Sequence, residues 1–126
     1  MIHILIADAD PAARKALSLL LGRKLSIKEV REVGDVEALI RARADGPPEL
    51  LLLDWKLYGS PPLETCRLLQ KAFPHLKIIL LSLDANDESI ARNAGAGFIH
   101  KGAAPDTILN RLMSVINQES LSCSIS

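Results

Sequence analysis

Apolar runs alternate with helical periodicities along the whole chain. The first run is Ile2-His3-Ile4-Leu5-Ile6-Ala7, the third Leu50-Leu51-Leu52-Leu53, the fourth spans 77–82 around Ile78-Ile79-Leu80-Leu81, and the fifth is Gly97-Phe98-Ile99-His100. Short apolar runs bounded by turn residues read as strands buried on both faces. The second run, about 27–33, interleaves Ile27, Val30 and Val33 with Lys28, Glu29, Arg31 and Glu32. Such charge suits an edge strand, where it opposes edge-to-edge pairing. Asp10-Pro11 joins an N-cap to a proline at the first helical position and predicts a helix from about Pro11 to Leu21, stopped by Gly22. Asp35 caps a short helix carrying Val36, Leu39 and Ile40, and Gly46-Pro47-Pro48 breaks the chain after it. Ser60-Pro61 starts a third helix with Leu63, Cys66 and Leu69 on one face, and Pro74 ends it. Asp84 or Asn86 caps a fourth that stops at Gly95. The fifth helix spans about 105–117 and carries Ile108, Leu109, Leu112, Met113 and Ile116 as one stripe. Residues 118–126 are serine-rich and polar, and are expected to be a frayed tail or the start of a linker.

Strands alternating with helices predict a parallel sheet with right-handed crossovers. Five such units fit an α/β, flavodoxin-like, doubly wound three-layer sandwich with strand order 2-1-3-4-5, forming one domain over 1–117. In that arrangement the C-terminal ends of the strands share one edge. Asp8, Asp54, Ser82 and Lys101 stand where four of the runs stop. Two carboxylates, a hydroxyl and an ammonium then converge on the crevice where open α/β sheets bind ligands. Paired carboxylates suit Mg²⁺, which takes oxygen ligands and keeps several waters. A hydroxyl and an ammonium beside them suit phosphoryl oxygens, and a carboxylate nucleophile would give an aspartyl phosphate.

Composition narrows the partners. Fifteen basic and 15 acidic residues give a formal net charge of zero in 126 residues, against the basic excess of a nucleic-acid reader. The 48% hydrophobic and 24% charged fractions are those of an ordinary globular domain. Cys66 falls on the apolar side of a helix and Cys123 in the polar tail, so neither suggests a disulfide framework. The chain opens directly into a strand, without a signal-peptide pattern, and its apolar runs are far shorter than the ~20 residues of a membrane span. A cytoplasmic protein is expected. His3, His75 and His100 lack metal-ligand spacing, and no P-loop or dinucleotide fingerprint is present. A flavin site would need a Ser/Thr/Gly-rich loop after the first strand, where Asp8-Ala9-Asp10-Pro11 places negative charge instead.

The chain resembles the response-regulator receiver domain over residues 2 to about 117. Ile4-Leu5-Ile6-Ala7-Asp8-Ala9-Asp10-Pro11 is similar to the family's opening strand and acidic pocket, and Leu51-Leu52-Leu53-Asp54-Trp55 to its phosphoacceptor strand. Ile79-Leu80-Leu81-Ser82 is similar to the strand ending in Ser or Thr, and Gly95-Ala96-Gly97-Phe98-Ile99-His100-Lys101 to the segment ending in lysine. The resemblance implies that Asp54 accepts phosphate from a histidine kinase or phosphotransfer protein, with Ser82 and Lys101 binding the phosphoryl group. It implies Mg²⁺ held by Asp8, Asp54 and the backbone carbonyl of Lys56, with Phe98 at an aromatic switch position. The face of the fourth helix, fifth strand and fifth helix would pass the signal to an effector domain or output protein. The chemistry would be self-modification at Asp54 rather than turnover, and the resemblance leaves a homodimer through the last helix open.

Four positions depart from the family's pattern. Ala9 stands where a second acid usually holds the metal directly, which weakens the expected Mg²⁺ affinity. Asp10 turns into the helix and is expected to cap it rather than replace that ligand. Lys56 either points into the acidic pocket as a substitute cation or is a solvated loop lysine. Tyr58 and Gly102 replace prolines, and Gly102 bears on where the Lys101 ammonium lies. Two readings follow: a divergent receiver that cycles through phosphate, and a degenerate pseudo-receiver that binds partners without phosphorylation.

Overall fold

Alternation within each strand sends successive side chains to opposite faces, and here both faces are apolar. A computed structural model describes residues 2–24, 27–44, 46, 48–57 and 61–125, the side chains of 28, 43, 44 and 118–125 excepted. The strands are β1 (Ile2–Ala7), β2 (Ile27–Val33), β3 (Leu50–Asp54), β4 (Lys77–Ser82) and β5 (Gly97–His100). The helices are α1 (Pro11–Leu21), α2 (Val36–Ala44), α3 (Pro62–Ala72), α4 (Asp87–Asn93) and α5 (Pro105–Ile125). All strand pairs are parallel, in the order β2-β1-β3-β4-β5. This is the expected flavodoxin-like order, with β2 at an edge as its charge predicts.

The two faces of the sheet build separate cores. Ile4, Ile6, Leu50, Leu52, Ile79, Leu81 and Ile99 pack with Leu21 of α1 and with Leu112 and Ile116 of α5. Leu5, Ala7, Leu51, Leu53, Ile78, Leu80 and Phe98 pack with Leu39 of α2, Cys66 and Leu69 of α3, and Ala91 of α4. Each fully buried Leu or Ile contributes about 1.5–3 kcal/mol relative to exposure, so the central strands carry much of the stability. Among the described residues no helix is long and apolar enough to cross a membrane.

Local signals behave as their chemistry dictates at most ends. The Asp10 side chain accepts from the Ala12 N–H at 3.0 Å and caps α1, with Pro11 at the first helical position. Asp35 accepts from the Ala38 N–H at 2.7 Å at the start of α2. Gly95 ends α4 in the left-handed region, φ 77°. Ser60 and Tyr58 lie outside the described residues, and α3 is preceded by Pro61 without a side-chain cap. The fifth helix is longer than the expected 105–117: α5 continues past Asn117 to Ile125. The sequence after Pro105 contains no glycine or proline, so nothing in it removes a helical hydrogen bond or favours a left-handed stop.

Candidate functional site

Register places the predicted residues together. Ala7 pairs with Leu53, so Asp8 emerges beside Asp54 at the C-terminal ends of β1 and β3. Asp54 pairs with Leu81, and Ser82 follows it at the end of β4. The Lys101 N–H donates to the Ser82 carbonyl at 2.8 Å, which carries the last strand's end to the same edge. All four residues therefore stand at one edge of the sheet.

One ammonium joins the two acids. Lys101 Nζ donates to Asp8 Oδ2 at 2.7 Å and to Asp54 Oδ1 at 3.0 Å. Both carboxylates are buried, Asp8 at 0% exposure and Asp54 at 5%. The Asp8 Oδ1 atom also accepts the Asp10 N–H at 2.9 Å, and the Asp8 carbonyl accepts from Arg14 Nη1 at 2.7 Å. Asp8 is thus held on both sides, while Asp54 keeps one oxygen uncommitted among these contacts.

Charge follows from that geometry. Burial pushes the Asp54 carboxyl above its ordinary value; the Lys101 hydrogen bond opposes this, and the Asp8 charge adds to it. Burial pulls the Lys101 ammonium down, but its bonds to Asp8 and Asp54 more than offset that and leave it raised. Two carboxylates against one ammonium leave a net negative crevice when both are ionised. That donor set fits a hard divalent cation that keeps most of its water. It does not fit a closed protein cage: among the described residues no cluster of three or more His, Cys, Asp or Glu has ligating geometry. Asp10 Oδ1 accepts the Ala12 N–H, so this carboxylate caps α1.

The other expectations sort by exposure. Lys56 is exposed in the turn after β3, so the cation on the carboxylates is Lys101 and not Lys56. The peptide bonds are trans among the described residues, Lys101–Gly102 included. The Gly102 N–H donates to His100 Nδ1 at 2.9 Å, a bond a proline there could not make. Phe98 is buried in the core on the α2–α4 side. Cys66 is buried and free, and burial raises its thiol pKa. The side chain of Cys123 lies outside the described residues.

Two contributors had no signal in the pattern. Arg14 of α1 folds back on the Asp8 carbonyl, with its Nε 3.6 Å from Glu32 of β2. Gly34 makes room for it, since a Cβ there would lie 3.0 Å from Arg14 Nη1. Asp87, the first residue of α4, accepts the Ser82 hydroxyl at 2.6 Å.

Residues 4–113 match the model of the response regulator receiver domain family. This chain belongs to that family. It is 33% identical over 117 residues to the transcriptional activator protein ExaE of Pseudomonas putida, a match covering 90% of this chain and 54% of the relative. It is 25% identical over 118 residues to the response regulator UvrY of Escherichia coli K12, covering 91% and 54%. The receiver thus spans about half the length of the curated relatives it matches. In fold it is similar to the isolated REC domain of RcsB from Salmonella enterica serovar Typhimurium, solved with the phosphomimetic BeF3⁻. The TM-score is 0.84 at 22% identity, covering 92% of this chain and 88% of that one. It is also similar to the response regulator DrrB of Thermotoga maritima, with a TM-score of 0.82 at 25% identity over 94% of this chain and 54% of that one.

Proposed function

We propose that this receiver is a cytoplasmic phosphorylation switch whose acceptor is Asp54. The observation that carries the reading is the pair of buried carboxylates bridged by Lys101 at the C-terminal sheet edge. One Asp54 oxygen attacks the phosphorus of a phosphohistidine on a kinase or phosphotransfer protein. The P–O bond forms as the P–N bond breaks, and the electron pair stays on the donor's imidazole nitrogen. Lys101 neutralises charge on the transferred phosphoryl oxygens, and the Ser82 hydroxyl donates to one of them. Such transfer is mostly positioning and charge stabilisation, which these residues supply from rigid strand ends. Asp8, Asp54 and the Lys56 carbonyl would hold Mg²⁺, which when bound supplies further neutralisation of phosphoryl charge. Asp8 orients the Lys101 ammonium whether or not a phosphoryl group is present.

The partners follow from the same reading. The relatives named as a transcriptional activator and as a response regulator are roughly twice the length matched, so the output is proposed to be an effector domain or protein that acts on transcription. A net charge of zero gives the receiver itself no basic excess with which to hold nucleic acid. The test is intact mass after incubation with acetyl phosphate and Mg²⁺. A labile gain of one phosphoryl group, absent in Asp54→Asn, is expected. A folded protein that gains nothing overturns the reading and leaves a receiver that binds its partner without phosphate.

A further inference from the structure

The Ser82 hydroxyl has a single proton, and it is already in use. It donates to Asp87 Oδ2 at 2.6 Å, while the hydroxyl oxygen accepts the Asp84 N–H at 3.1 Å. The loop between them is tightly folded: Asp84 Oδ1 accepts the Asn86 N–H at 2.9 Å, and the Asp84 carbonyl accepts the Asp87 N–H at 3.1 Å. This turn brings the first residue of α4 back over the end of β4. Ser82 is 5% exposed and Asp87 half-buried, so water competes weakly for the bond.

We propose that Asp87 is a positioning residue that withholds the Ser82 hydroxyl from the phosphoryl pocket and so sets how readily the phosphorylated state forms. The inference rests on Asp54 as phosphoacceptor. A hydroxyl donates one hydrogen bond at a time. Donation to a phosphoryl oxygen on Asp54 therefore requires that the bond to Asp87 break. Asp87 loses a charge-assisted partner at that moment, and α4 loses the side-chain tie between its first residue and the sheet edge. The carboxylate stays at the start of a helix in both states, so that interaction cancels and the bias toward the unmodified state is the lost hydroxyl bond alone.

The test is titration with beryllofluoride and Mg²⁺, read by the fluorescence of Trp55, the single tryptophan and the residue after Asp54. Asp87→Ala should tighten binding about tenfold, the shift that one charge-assisted hydrogen bond produces in a two-state equilibrium. Asp87→Asn, which keeps an uncharged acceptor and a polar helix start, should fall between the parent and Asp87→Ala. In a Ser82→Ala background, which has no hydroxyl to withhold, Asp87→Ala should change nothing. Unchanged or weaker binding by Asp87→Ala, or an equal gain with and without the Ser82 hydroxyl, overturns the proposal while the parent still binds. No binding by the parent or any variant removes the phosphoacceptor reading and this inference with it.

Discussion

Lys101→Met removes the one cation that holds Asp8 and Asp54 together while keeping the length of the side chain. Both carboxylates bond the same nitrogen, at 2.7 and 3.0 Å, so their bonded oxygens are separated by less than about 6 Å. At that distance and an effective dielectric near 20, two like charges repel by about 3 kcal/mol. Removing one partner from a buried ion group costs about 3–5 kcal/mol, so the two estimates point to a loss of several kcal/mol near neutral pH. The carboxylates have one escape, which is to take up a proton. The Asp54 carboxyl already sits above its ordinary value of 3.8, and loss of the ammonium raises it further. A carboxyl whose folded value lies above its unfolded one destabilises the fold at high pH, and the penalty fades as pH falls through the folded value. Urea denaturation followed by Trp55 fluorescence should therefore show a large deficit at about pH 7.5 that shrinks toward about pH 5. Adding Asp8→Asn should restore much of the loss. A variant within about 1 kcal/mol of the parent at both pH values would refute the account, because the bridge would then be no more than a surface pair.

Three further outcomes test other parts of the structure. The raised Lys101 pKa means its contribution is present below the ordinary value of 10.5 and is lost as pH rises through the folded value, so alkaline unfolding should be steeper in the parent than in Lys101→Met. Asp10→Ala should cost about 1 kcal/mol in the urea midpoint through loss of the α1 cap, with the intact-mass assay at Asp54 unchanged. Leu112→Ala, at a side chain with 0% exposure between α5 and the sheet, should cost about 2–5 kcal/mol, and a loss below about 1 kcal/mol would mean that α5 packs more loosely than its burial indicates.

The strands and their order were legible because each central strand is a short, doubly apolar run, a pattern that few other local structures share. The same runs fixed the site: a residue that ends a parallel strand has its place set by register, so Asp8, Asp54, Ser82 and Lys101 could be brought together before any coordinates. The cap at Asp10 was readable for a local reason, since its partner is two residues away. What escaped was where polar side chains go once the backbone is placed. Asp84 or Asn86 reads as the cap of α4; Asp84 Oδ1 accepts the Asn86 N–H and Asn86 makes no side-chain cap bond, while Asp87, which carries no signal of its own, bonds the hydroxyl of Ser82. Arg14 lay hidden for a related reason. It reads as a polar position on α1, and its bond to the Asp8 carbonyl depends on how the helix returns over the strand end and on the space beside Gly34. The length of α5 is not legible from polarity, because serine, glutamine and glutamate are compatible with a helix and neither glycine nor proline follows Pro105 to favour a stop.

The four site residues are not anchored alike. Asp8 follows β1, which is flanked by β2 and β3, and Asp54 ends β3, which is flanked by β1 and β4. Lys101 leaves β5, a four-residue strand with a neighbour on one side only, and Ser82 leads into Leu83 to Asn86, all exposed. Local opening free energies run from near zero in exposed loops to the global value in central strands. Backbone amides of β1 and β3 should thus be among the last in the chain to take up deuterium, and those of the exposed Leu83 and Ala85 well before them. The acids stand on the interior strands of the sheet, while Lys101 stands at the end of its edge strand.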